Sequence, residues 1–261
     1  MRARAACGVG GFVALLVACG APASPPLNPD GFSYDPASMG SPLPAAPITP
    51  VRARTLGNTR TATGQAVVQG QAVGTFRNTY YDFPRETDFK GDKAKLMNAS
   101  CTLIAEVPKA FHDAVCVQGS GQLGRGSTVS FAKRDCACAE VCPRTGQKIC
   151  FDELDKQKFP FGRGAAGTAI MPLVSVAADT QVLPLGTVIY VPEFDGIPVP
   201  GSTEPLDGCF VVQDRGSRVK GEHLDFFAGH PDQTKWLNER VPSNQGVTVM
   251  TDVARCERLR R

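Results

Sequence analysis

The sequence predicts a mainly β fold closed into a small barrel. Six short apolar or alternating runs are separated by Gly, Pro, Asn and Asp, and only two stretches carry a helical period. Many short strands with turn residues between them favour a closed β structure over a layered α/β sheet. The ten cysteines of this 261-residue chain supply a third indication, since an exported chain rich in cysteine pins its loops with disulfides.

In chain order the predicted strands are "QAVVQGQAVGTFRNTYYDF", "MPLVSVAAD", "GTVIYVPEF", "GCFVVQD", "HLDFF" and "GVTVMTDV". The predicted helices are a short one near "KAFHDAV" and "PDQTKWLNERV", which opens on a proline and carries the sole tryptophan, Trp236. From about 93 to 163 the pattern changes. That section holds six cysteines and two glycine-rich stretches and shows little periodicity, so it reads as a disulfide-rich loop insertion within a domain spanning 61–261.

Residues 1–18 have the charge, apolar core and small-residue end of a secretory signal. Leu16-Val17-Ala18-Cys19 resembles the bacterial lipobox, which implies lipidation of Cys19 and an exported lipoprotein at the periplasmic face of the outer membrane. Residues 20–50 hold nine prolines and few charges, so 19–60 is predicted to be a lipidated, extended, disordered linker. At about 3.1 Å per residue such a tether reaches on the order of 100 Å.

A net charge of +3, with no arginine-rich run interleaved with aromatics, argues against a nucleic-acid partner. Setting aside Cys7 and Cys19 leaves eight cysteines, which allow 105 connectivities, and the pairing stays open. The run "CACAEVCPRTGQKIC" lacks the usual C-x2-C pairs of zinc sites, so no metal or cofactor is expected. "GSGQLGRG" lacks the ending of a phosphate loop and reads as a turn.

The stretch "VVQDRGSRVKGEHLDFF" carries the chemistry. It delivers Asp214 to the end of one strand, reverses through Gly216 and Gly221, and sets Asp225 in the next strand. A third acid, Asp179, lies in "SVAADTQVLPLGTVIYV" between an apolar run and a turn. Together these stretches resemble the three-aspartate (3D) domain, a six-stranded double-psi β-barrel of the membrane-bound lytic murein transglycosylase A family and related wall-remodelling proteins. Asp179 with Pro184-Leu185-Gly186-Thr187, then Asp214, Gly216, Lys220, Gly221 and Asp225, match its motifs at the family's spacing. Arg215 and Ser217 depart from the commonest form, and about twenty residues are extra around "FDGIPVPGSTEPLDG". The likeness covers 171–229, is fainter at "GTFRNTYY" and "VTVMTDV", and is absent from the insertion.

The resemblance implies cleavage of the β-1,4 bond between N-acetylmuramic acid and N-acetylglucosamine in peptidoglycan strands, leaving a 1,6-anhydro end. Because the sugar's own C6 hydroxyl attacks, one carboxyl suffices, whereas a glycoside hydrolase needs two. Asp214 is expected to be the acid and base, with Asp179 and Asp225 as supporting carboxylates. Lys220, Thr79, Tyr80, His223 and Gly216 are expected to border or bind the glycan. Two other functions remain open: an expansin-like polysaccharide-binding module, and a hydrolytic glycosidase like the family-45 endoglucanases. His112, His230 and Asp207 are read as structural and Trp236 as core.

Overall fold

The structure, a computed structural model, describes residues 68–260. The predicted signal, Cys19 and the linker lie outside the described residues.

Six strands close into a barrel: β1 (Gln71–Asp82), β7 (Ser175–Ala178), β8 (Val188–Tyr190), β9 (Cys209–Asp214), β10 (His223–Gly229) and β11 (Val247–Thr251). Their order around the barrel is β1-β10-β7-β9-β8-β11. β1 pairs β10 in parallel and β7 pairs β9 in parallel, the two crossed pairs of a double-psi arrangement; the other neighbours run antiparallel. Five of the strands fall within the apolar runs read from the sequence and β10 extends two residues beyond its run, and full closure leaves the barrel no exposed sheet edge.

Strand alternation sorts the side chains. Phe76, Val176, Ile189, Phe210, Val212, Leu224, Phe226, Val247 and Val249 point inward and form the barrel core, joined by Phe194 from the loop after β8. Phe226 is its centre, with ring centroids 4.6 Å from Phe194 and 4.8 Å from Phe210. The helix α2 (Pro231–Asn238) follows β10 and adds Leu237 to this core, with Trp236 packed against it. The extra loop before β9 is held from the C-terminal side, where Cys209 is bonded to Cys256 and Arg255 and Arg258 pair with Asp195 and Asp207.

The cysteine-rich insertion is more than loops. It contains the hairpin β2 (Lys93–Met97) with β3 (Leu103–Pro108), the helix α1 (Lys109–Gln118), and a three-stranded antiparallel sheet of β4 (Ser120–Gln122), β5 (Thr128–Lys133) and β6 (Cys150–Leu154). Its own core gathers Leu96, Val107, Phe111, Val115, Leu123, Val129 and Phe151. The period is hard to see in sequence because these strands are short and register shifts interrupt β2–β3 and β5–β6. Three disulfides, Cys101–Cys138, Cys116–Cys142 and Cys136–Cys150, staple so small a core. Each closes a loop long enough to stabilise by roughly 3 kcal/mol on the chain-entropy model.

Candidate active site

Thr79 of β1 lies opposite Asp225 of β10, Asp225 lies opposite Ala177 of β7, and Ala177 lies opposite Asp214 of β9. These four residues form one row across the outer face of the barrel. Asp225 reaches that face by ordinary alternation, because its neighbours Leu224 and Phe226 point inward. Asp214 shares the parity of inward-facing Val212 and would follow it into the core. A register shift between β7 and β9 skips Gln213 and re-aims Asp214 outward, the usual work of a bulge. With Ala177 between them, the Cα atoms of Asp214 and Asp225 are about 10 Å apart, two strand spacings. The small side chain of Ala177 leaves room above it.

Tyr81 occupies that room. Its ring packs on Phe227 with centroids 4.9 Å apart, and its hydroxyl points to Asp214 Oδ2 at 3.4 Å. Burial and then the charges of Asp214 and Asp225 hold the phenol neutral.

The two acids of the row differ in their partners. Asp214 Oδ1 accepts the backbone N–H of Arg215 at 2.8 Å and of Ala165 at 3.0 Å. Burial raises its pKa, while these amides, Tyr81 and the Arg215 charge oppose the rise. Asp225 Oδ1 accepts the Thr79 hydroxyl at 2.7 Å, and among the described residues no backbone amide donates to it. Burial pushes its carboxyl up to about 6; Asp214 and Asp82 push the same way, and Thr79 and Arg77 oppose. Asp82, at the end of β1, is also raised to about 6 by burial, opposed by Arg144 of the disulfide-stapled loop. Beyond Thr79 the contacts continue to His223, whose Nε2 lies 2.8 Å from Thr79 Oγ1. His223 is buried, and desolvation followed by the Arg77 charge lowers its pKa to about 4, so the ring is neutral.

The remaining predicted residues fall elsewhere. Asp179 accepts the N–H of Gly221 at 2.9 Å and of Gln181 at 3.1 Å, and these bonds lower its pKa. It anchors the turn between β9 and β10 outside the row, and Gly221 there has φ +62°, which favours glycine. Gly216 does not supply a left-handed backbone. A Cβ there would meet Val219 Cγ2 at 2.6 Å, so space is what requires glycine. Lys220 is exposed and its charge acts on Asp179. Tyr80 points into the barrel, packs on Phe194 and Phe226, and donates to the Val241 carbonyl at 2.5 Å; it cannot border a groove on the outer face. Strand alternation selects Tyr81 in its place, a signal already present in "NTYYD".

Ala165 is the other residue that sequence reasoning missed. It sits in "FGRGAAGT", which packs against the end of β9, with Ala166 N–H donating to the Gln213 carbonyl at 3.0 Å. A Cβ on Gly164 would lie 2.4 Å from that carbonyl oxygen. Gly164→Ala is therefore expected to push the segment off β9 and cost about 1–3 kcal/mol, measured as a lower urea midpoint.

Two groups, His112/Cys116/Cys142 and Cys136/Cys138/Cys150, bring ligand-type atoms together. Every sulfur in them is spent in a disulfide, so no thiolate is on offer. A cavity of about 390 Å³ lined by Leu185, Gly186, Thr187, Val188, Thr251, Asp252 and Arg260 contains no member of the row.

Asp179, Asp214 and Asp225 all lie within residues 174–239, which match the family model described as the 3D domain. In sequence the chain is similar to the membrane-bound lytic murein transglycosylase A of Vibrio cholerae serotype O1. The two are 33% identical over 72 residues, 26% of this chain and 18% of that protein. It therefore spans less than a fifth of the relative's length. Among solved structures it is similar to Escherichia coli MltA with bound chitohexaose, at 16% identity, covering 70% of this chain and 75% of that one, with a TM-score of 0.49. It is also similar to the membrane-bound lytic murein transglycosylase of Agrobacterium tumefaciens, at 12% identity, covering 74% and 78%, with a TM-score of 0.48.

Proposed function

We propose that this protein is a lytic transglycosylase of peptidoglycan, cutting the β-1,4 bond between N-acetylmuramic acid and N-acetylglucosamine with Asp225 as its single acid and base. The observation that carries the reading is the inequality of the two carboxylates in the Thr79–Asp225–Ala177–Asp214 row. Asp225 is raised to about 6 and takes no backbone donor, so it holds a proton at mildly acidic pH. Burial raises Asp214 too, but two amides, the Tyr81 hydroxyl and the Arg215 charge oppose that rise and favour its anion. The proton donor assigned from sequence to Asp214 therefore moves to Asp225, and Asp214 becomes the fixed charge that helps keep Asp225 protonated.

In the proposed reaction Asp225 gives its proton to the glycosidic oxygen as the C1–O bond breaks. The muramyl C6 hydroxyl then forms the new bond to C1 and returns its proton to Asp225. No water is consumed. A paired-carboxylate hydrolase would need Asp214 free to activate water, and its occupied oxygens speak against that. The 33% identity to the Vibrio protein over 72 residues supports the same reaction class. We place the enzyme in the cell envelope, tethered through acylated Cys19; radiolabelled fatty acid should then enter the wild type and not Cys19→Ser.

The test is digestion of purified sacculi followed by mass spectrometry. The expected product is a 1,6-anhydro end; a reducing end would identify a hydrolase, and uncut glycan a binding module. The acid form is the working form, so kcat/KM is expected to fall as pH rises through about 6, measured as the rate of anhydro-muropeptide release.

A further inference from the structure

Thr79 Oγ1 stands 2.7 Å from Asp225 Oδ1 and 2.8 Å from His223 Nε2. A hydroxyl has one proton to donate and two lone pairs to accept with, so it cannot donate to both neighbours at once. The His223 ring also bonds the backbone of Arg218 in the turn before β10, in the sense that favours a protonated ring nitrogen. That bond is a ring N–H given to a carbonyl. With Nε2 directed at Thr79, the donor is Nδ1, and in a neutral ring Nε2 is then bare. Towards an ionised Asp225 the Thr79 hydroxyl is the donor; when Asp225 is protonated, Thr79 gives its proton to the bare Nε2 and turns an oxygen lone pair towards the carboxyl. A lone pair facing a carboxyl oxygen is favourable only if the carboxyl carries the hydrogen.

We propose that His223 is a positioning residue that acts through Thr79 to keep the proton on Asp225, so that both residues form a hydrogen-bond relay in place of the glycan-binding role their sequence positions suggested. The inference rests on Asp225 as the proton donor of the proposed reaction. When Asp225 has given up its proton, Thr79 can swing round to donate to it only by leaving Nε2 of a 7% exposed ring without a partner. That penalty drives recapture of the proton. A cationic ring would relieve it, and Arg77 on β1 opposes such a charge. Arg77 is held by Asn244, to whose Oδ1 its Nε donates at 2.5 Å. The other titratable groups around the pair are Tyr81 and Asp82 on β1 and Asp214 at the end of β9; each carboxylate favours a neutral Asp225.

The experiment is NMR on the whole protein, reading the ring nitrogens of His223 and the side-chain carboxyl of Asp225 from about pH 4 to 8. The expected wild-type result is a protonated Nδ1 and a bare Nε2 between about pH 5 and 7. His223→Phe keeps the ring volume and removes the acceptor, so the Asp225 midpoint is expected to drop by about one pH unit, a tenfold change in proton affinity. The alkaline limb of kcat/KM should move with it. A protonated Nε2 in the wild type, or an Asp225 midpoint indifferent to His223→Phe, overturns the proposal; if that variant does not fold, the wild-type ring decides alone. Failure of the transglycosylase reading has a different signature, absence of anhydro product with the relay measured intact.

Discussion

Asp225→Asn is expected to lower anhydro-muropeptide release by about 10²–10⁴-fold, the usual contribution of a positioned general acid–base group. The amide has nearly the shape of the acid and still reaches Thr79, so the barrel should stay folded and glycan should still bind. What is lost is the transferable proton, first to the leaving oxygen and then back from the C6 hydroxyl. Asp214→Asn is expected to be milder, because it removes a neighbouring charge but no proton carrier, and the Asn Oδ1 can still accept the N–H groups of Arg215 and Ala165. It should also shift the pH profile, since the Asp214 charge is one of the influences raising Asp225. The comparison is made on sacculi with matched, folded proteins. Equal losses in the two variants would mean that the row works as a carboxylate pair, and the hydrolytic mechanism would replace the lytic one.

Phe226→Ala is expected to cost about 3–5 kcal/mol of folding free energy, seen as a large fall in the urea midpoint. Phe226 is 1% exposed and meets three rings, Tyr80, Phe194 and Phe210, inside the barrel. A strand cannot shift its inward residue without moving its outward neighbour, and here that neighbour is Asp225. Near-complete loss of activity is therefore expected at temperatures where the variant is still folded. The insertion should be less affected, because Phe111, Val115 and Phe151 form a separate core with its own disulfides. Hydrogen exchange can resolve the two, with the barrel strands losing protection before β4–β6.

Much of the architecture was legible because local patterns imply it. The six barrel strands announce themselves as apolar runs ended by Gly, Pro, Asn or Asp, and α2 by its opening proline. The insertion was not legible as a folded unit. Its three-residue β4 and interrupted registers leave no countable period, and the pairing of eight cysteines depends on which chain segments meet. At the proposed site the sequence already named Asp214, Asp225, Thr79 and His223, but the roles proposed for them changed with the structure, and Tyr80 and Gly216 are placed differently from the expectation. Tyr80 and Tyr81 are adjacent in sequence and opposite in space, so reading the wrong phase of one strand exchanged a core residue for a site residue. Gly216 was read as a backbone requirement and proves to be a packing one.

By itself the sequence determined the class of the protein: a mainly β, cysteine-rich chain with three aspartates at strand ends and turns, because strand period, turn residues and motif spacing are local properties. Only the tertiary structure decided which aspartate is suited to hold a proton. That depends on a skipped residue between β7 and β9, on an amide brought from Ala165, 49 positions away, and on a threonine and histidine from two different strands. Desolvation and hydrogen-bond supply are properties of the assembled surroundings, and no reading of the chain in order could have distinguished Asp214 from Asp225.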